Sequence, residues 1–267
     1  MSDKACVAKA DAFFWEEPVI SGKNGSGAIF FSGCNLKCCF CQNFKLSHEH
    51  FGKEISVQRL AQIFEELEKQ GVSNINLVSP THFENQIVEA LKIYRPKIPI
   101  VFNTNGYETV ESLKKLEPFV DIYLTDLKFC DPNLSQKYCG AKNYFDVATK
   151  ATIEMVRQKP QIKIENGLLK QGVIVRHLVM PSHTDDSKKI LDWVAKNCKQ
   201  NCILSLMGQY TPYYNAKKFP EINRKLKPLE YKIVLNHAIK LGFENGFAQD
   251  LSSATEDFIP IWDLKGV

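Results

Sequence analysis

The chain has 267 residues, with 34 Lys and Arg against 30 Asp and Glu for a net charge of +4. That length buries a core without disulfide staples, and 44% hydrophobic with 24% charged residues is ordinary for a folded globular protein. The small Lys excess gives no reason to expect nucleic acid, no apolar run approaches the ~20 residues of a membrane span, and the N-terminus lacks a secretory pattern, so the chain reads as cytoplasmic, without nucleic-acid or membrane partners.

No repeat, low-complexity tract or linker divides the chain. Gly22-Lys23-Asn24-Gly25-Ser26-Gly27 invites a phosphate-loop reading, but it precedes a strand and no Gly-Lys-Ser/Thr opens a helix after it. It reads instead as a mobile entry to the first strand, near the cysteines that follow. The run Ala28–Ser32 predicts that strand. A helix comes next, capped by Ser56, with Leu60, Ile63, Phe64 and Leu67 on one face and Gly71 at its end. The alternation then continues. The runs Ile75–Ser79, Ile98–Asn103, Asp121–Asp126, Gly172–Val179 and Cys202–Met207 are β-branched and nearly unbroken, as suits strands covered on both faces. After them come apolar helical faces built on Ile87 and Leu91, Val110 and Leu113, Tyr144 and Ala151, Ile190 and Val194, and Tyr231 and Val234. Six strand–helix units predict an α/β fold with a parallel sheet and right-handed crossovers. They are too few for a closed eight-fold barrel. A doubly wound sheet and an incomplete barrel both remain open, and in either the ligands sit at the C-terminal strand ends.

The first strand end carries Cys34-x3-Cys38-x2-Cys41. With 9 Cys in the chain, about 0.01 such matches are expected by chance. Three thiolates on one loop can hold three corners of a [4Fe–4S] cube and leave one iron open. The same three with His48 or His50 could close a zinc site, which would make a zinc-stabilised, non-enzymatic βα binding module. A redox dithiol is a further alternative. Cys198 and Cys202 form the other close pair, and Cys6, Cys39, Cys130 and Cys139 read as core or incidental thiols.

Polar residues mark the other strand ends. Ser79, Thr81 and His82 follow the second, and Asn103 and Asn105 the third. Asp126 and Lys128 follow the fourth and share one side if both are extended. Arg176 and His177 lie inside the fifth run, where alternation sends them to opposite sides. Gln209 and Tyr210 follow the sixth, with Tyr213 and Tyr214 beyond. Ser253–Asp257 suggests a lid.

The CxxxCxxC motif after the first strand resembles the radical S-adenosylmethionine (SAM) superfamily, and Phe40 matches the aromatic residue usual before its third cysteine. The stretch SGKNGSGAIFFSGCNLKCCFCQN looks like the pyruvate formate-lyase activating enzyme branch, closest to an uncharacterised activating-enzyme-like group. The likeness runs from about Glu16 to Ile261. It implies a (β/α)6 partial TIM barrel with an N-terminal extension and a C-terminal tail, one domain over 1–267 with its core at about 26–245. It implies that Cys34, Cys38 and Cys41 ligate the cluster and that SAM takes the open iron. Reductive cleavage of SAM would give a 5′-deoxyadenosyl radical for hydrogen abstraction. The implied partners are a flavodoxin- or ferredoxin-like electron donor and a glycyl radical protein, or else a peptide or small metabolite. Asn103-Thr104-Asn105-Gly106 resembles the branch's Asp-Thr-Asn-Gly with Asn in place of Asp, and Asp126-Leu127-Lys128 matches its Asp-Leu-Lys. An arginine at the place of Arg176 points that side chain inward and leaves His177 between layers. The Gly-Gly-Glu that holds the SAM amino group in this branch is missing, so Ser79 or Thr81 is expected to offer the acceptors. Gln209 and Tyr210 are expected to touch substrate.

Overall fold

The computed structural model describes residues 4–243, 246–249 and 260–267, so the expected lid at Ser253–Asp257 lies outside the described residues. The strands are β1 (Ala5–Phe13), β2 (Ser26–Phe31), β3 (Lys53–Ile55), β4 (Ile75–Val78), β5 (Ile100–Thr104), β6 (Ile122–Asp126), β7 (Lys163–Glu165), β8 (Leu168–Leu178), β9 (Ile203–Met207) and β10 (Gly246–Ala248). The helices are α1 (Pro18–Ser21), α2 (Phe44–Ser47), α3 (Val57–Lys69), α4 (Glu84–Ile93), α5 (Val110–Leu116), α6 (Pro132–Cys139), α7 (Tyr144–Gln158), α8 (Thr184–Asn197) and α9 (Pro228–Lys240).

All of the expected strands form, as β2, β4, β5, β6, β8 and β9, and they pair in parallel. The sheet order is β10-β9-β8-β6-β5-β4-β2-β1-β3, with β7 beside β8, and its two ends do not meet. The fold is an incomplete barrel. Three short strands, and β1, had no expectation in the sequence. β1 runs antiparallel to β2, and β10 adds to β9, so the sheet continues past residues 26 and 245 on both sides.

Helix ends follow local chemistry. Ser56 accepts from the Arg59 amide at 3.2 Å and Thr109 from the Ser112 amide at 3.1 Å, which starts α3 and α5. The sequence reading missed α6, although its signals are present. Asp131 caps it, Pro132 opens it, and Gly140 closes it in the left-handed conformation.

Alternation sorts the strand residues. Tyr123, Val173 and Val175 face outward into the core shared with α5 to α8, and Ile29, Phe31, Ile75 and Leu77 face α3 and α4. Val101, Ile122, Leu124, Ile174 and Ile203 face inward around Ile20 of α1, which plugs the barrel floor. One step along the strands, Asp126 pairs with Arg176 and Arg176 with Ser205 in register, so the apolar floor gives way to a polar layer. The glycine loop 22–27 lies at the floor end, where Gly22 meets Leu168 and Ser73. It is therefore not near the cysteines, because it precedes β2 and they follow it.

Candidate functional site

A cavity of about 350 Å³ opens at the C-terminal strand ends. Cys34, Cys38, Cys41, Phe40, Ser79, Asn103, Asn105, Asp126, Lys128, Arg176, Gln209 and Tyr210 all line it. Thr81 stands apart. Its hydroxyl donates to Glu108 at 2.6 Å and faces a second pocket. The reason is the turn after β4: Ser79 adopts φ +56°, which swings Pro80 and Thr81 outward. His82 is exposed, with its ring beside Gly33.

The cysteine loop is fixed from several sides. The Lys37 and Cys39 amides each donate at 2.8 Å to the Cys139 and Tyr138 carbonyls at the end of α6. The Asn105 amide donates to Cys34 Sγ at 3.3 Å and to Asn35 Oδ1 at 2.7 Å. Ser47 lies 3.2 Å from Cys41 Sγ. Cys139 is a core thiol as expected, fully buried, and its Sγ also sits 3.4 Å from Cys38 Sγ, so it belongs to the loop's surroundings as well. Nothing in the sequence signals this contact between residues so far apart. Burial pushes the Cys34 thiol up and the Cys41 thiol to about 12, while the Cys139 contact and burial together raise Cys38. A metal that binds to these thiols displaces their protons.

Gly106 makes the turn after β5. It has φ +82°, and a Cβ there would lie 2.2 Å from the Asp126 carbonyl oxygen. Tyr144, buried on α7, joins the two strand ends: its hydroxyl lies 2.8 Å from the Asn105 carbonyl and 2.9 Å from that of Asp126, and accepts from the Lys128 amide at 3.1 Å. Its helical spacing marked it only as core. Lys128 pairs with Asp126 at 2.5 Å. Burial opposes the charge on Lys128, but the carboxylate outweighs it and keeps the amine protonated.

Arg176 points inward as expected, and it is not free. Nε and Nη2 donate to Glu17 at 2.8 and 2.7 Å, and Nη2 also donates to Glu16. Glu16 accepts in turn from Asn76 at 2.8 Å and Asn103 at 3.1 Å. The segment before α1 therefore reaches into the barrel and occupies the guanidinium, a role with no signal in Glu16-Glu17 alone. His177 is buried on the outer face, where its Nδ1 donates to the Leu127 carbonyl at 2.7 Å. Gln209 accepts from Gln249 at 3.1 Å at the cavity edge. Tyr210 donates its hydroxyl proton to the Ile222 carbonyl at 2.8 Å and sets its ring edge-on to Phe40 in the cavity wall.

The Radical SAM superfamily description matches residues 28–194. The chain belongs to the radical SAM superfamily. Over 82% of its length this radical SAM protein is 37% identical to the uncharacterized protein MJ0674 of Methanocaldococcus jannaschii, of which it covers 63%. It is 23% identical to the pyruvate formate-lyase-activating enzyme of Clostridium pasteurianum, covering 79% of this chain and 87% of that one. It spans 63% and 60% of the length of the first curated relatives it matches. Its fold is similar to Streptococcus suis SuiB bound to S-adenosylmethionine, with a TM-score of 0.57, 14% identity, and coverage of 83% and 50% of the two chains. The SuiB structure bound to precursor peptide SuiA gives a TM-score of 0.58 at 14% identity, covering 83% and 48%.

The cofactors of a radical SAM protein are a [4Fe–4S] cluster and SAM. The residues present fit both. Among the described residues, no three His, Cys, Asp or Glu side chains close around a single ion. The loop thiols share the wall of one cavity, as three corners of a cluster require. Amide, hydroxyl, carboxylate and ammonium groups face the same space, as a zwitterionic nucleoside requires. No helix among the described residues is long and apolar enough to cross a membrane.

Proposed function

We propose that the chain uses its cluster and SAM to start hydrogen abstraction from a polypeptide, with activation of a glycyl radical protein as the specific reaction. The observation that carries this is the convergence of Cys34, Cys38 and Cys41 with Asn103, Asn105, Asp126 and Lys128 on one cavity. Cluster and SAM together supply a 5′-deoxyadenosyl radical when bound. The protein's part is to bind, orient and exclude water. Cys34, Cys38 and Cys41 hold the cluster. The Lys128 ammonium takes the methionine carboxylate, and Asp126 accepts from ribose hydroxyls. Asn103 and Asn105 offer amides to the polar edge of the ligand, and Ser79 is the acceptor left for the SAM amino group. Phe40, Phe30 and Leu178 form apolar walls that keep water from the reacting centre. Gln209, at the rim, presents an amide to a polypeptide backbone. Modification of a peptide is the second reading, and the same rim serves it. A flavodoxin- or ferredoxin-like protein donates the electron in a reducing cytoplasm, where nine free cysteines persist.

Anaerobic reconstitution with iron and sulfide, reduction and addition of SAM tests the chemistry. The expected product is 5′-deoxyadenosine, abolished by Cys34→Ala, Cys38→Ala or Cys41→Ala and retained by Cys39→Ala. A glycyl radical signal that appears in a partner protein only after incubation selects the first reading over the second. A protein that takes up zinc but neither iron nor sulfide overturns both.

A further inference from the structure

A second pocket, of about 360 Å³, lies between the starts of α4 and α5 and shares no lining residue with the first. Asn35, Thr81, Glu84, Glu108, Ser112 and Val147 line it. We infer that this pocket binds a primary ammonium group carried on an alkyl stem.

Glu108 carries the argument. It is only 2% exposed, and its two oxygens are used unequally. Oε1 accepts from the Thr81 hydroxyl at 2.6 Å and also from the Thr104 hydroxyl. Oε2 is buried with no hydrogen-bond partner among the described residues. A buried carboxyl oxygen without a donor is destabilising, the more so if charged, so a donor from outside the chain is what this site lacks. Burial, then the nearby Glu84, push the Glu108 carboxyl up to about 7.

The donor's chemistry follows from what surrounds it. Thr81 spends its proton on Glu108 and Ser112 spends its own on Glu84, so both hydroxyls offer only lone pairs to a third group. Glu84 and Glu108 are the charged residues of the lining, and Lys115 reaches Glu84 from outside at 3.1 Å. The pocket is thus a set of acceptors with excess negative charge. A guanidinium fork needs both carboxylate oxygens, and Oε1 is already full. An ammonium needs single acceptors in several directions, and Oε2 with the two hydroxyls supplies them. The volume suits a side-chain-sized ligand, and Val147 offers apolar contact to its methylenes. The group comes either from a lysine of a polypeptide or from a free amine.

Calorimetric titration of the reconstituted full chain separates the outcomes without any activity assay. The probes are Nα-acetyl-lysine-N-methylamide, n-butylamine, and the arginine and norleucine analogues of the first. The lysine and amine probes should bind and the norleucine analogue should not. Tighter binding of the lysine probe assigns the site to polypeptide, and tighter binding of butylamine assigns it to a free amine. Affinity should rise about tenfold from pH 6 to pH 8, as a carboxyl that titrates near 7 becomes charged. Glu108→Gln should abolish binding while cluster content is unchanged. If that variant does not fold, the pH dependence and the norleucine comparison on the unaltered chain still decide. Equal binding by the norleucine or arginine analogue, binding that survives Glu108→Gln, or no binding of either amine overturns the inference.

Discussion

Arg176 brings a positive charge to a place where the strand should be apolar, and its neighbours explain why the chain tolerates it. Arg176, Glu16 and Glu17 side chains are 13%, 8% and 7% exposed. Buried ions of this kind persist only when paired, and removing one partner strands the others. Arg176→Met should therefore cost about 3–5 kcal/mol, read from urea unfolding of the cluster-free protein. The lock also has a pH signature. Burial works against the Glu17 charge, yet Arg176 outweighs it and holds the carboxyl below its usual 4.5. A lowered folded value means that the contribution is complete above that pH and fades as pH falls below it. Wild-type stability should drop more steeply than that of Glu17→Gln as the buffer is taken below pH 4.5, and a parallel fall in the two would refute the pairing. The sequence showed that one of Arg176 and His177 had to face inward. It could not show what answered the charge, because Glu16 and Glu17 are about 160 residues away.

The same limit shapes the elements. Strands β2, β4, β5, β6, β8 and β9 were legible because each is an apolar run with period-two sorting, and the polar and cysteine residues singled out at their ends, Thr81 and His82 apart, line the cavity. β1 was not, since ACVAKADAF mixes charges into a strand at the barrel's open side. Thr81 misled because one residue of left-handed backbone at Ser79 turns everything after it, and that conformation is unusual for serine. Helix α6 matters more than its length suggests, because its last carbonyls hold the cysteine loop. Gly140 ends it at φ +73°, with Lys37 Cβ 3.2 Å from where a side chain would start. Gly140→Val should strain this end by about 1–2 kcal/mol and lower the iron bound after reconstitution, with helix content by circular dichroism nearly unchanged. Gly106→Ala should act at the other support. It meets the Asp126 carbonyl and pulls Asn105 from Cys34, so thermal stability and SAM binding should fall together.

At the scale of the molecule, the open barrel separates two tasks. The floor is packed with aliphatics around Ile20, and the mouth gathers Asn103, Asp126, Lys128 and Arg176. Large-to-small changes at the floor should therefore be felt as stability alone. Ile122→Ala should cost about 2–5 kcal/mol and leave SAM affinity intact in a protein that still folds, measured by unfolding and equilibrium binding. Fold class was readable from the alternation of elements. Closure of the open side was not, because it depends on pieces from both ends of the described chain.

One piece is β1, and the other is residues 260–267. The Ala10 amide donates to the Lys265 carbonyl at 2.8 Å, Lys9 pairs with Asp263 at 3.0 Å, Trp262 packs against Phe30 with ring centroids 5.3 Å apart, and Pro260 reaches the cavity wall. Some 250 residues of chain separate this segment from β1, yet it is tied to β1 directly and to β2 through Trp262. A pull applied at residues 260–267 would therefore travel through Trp262 and Phe30 into the strand that carries the thiol loop.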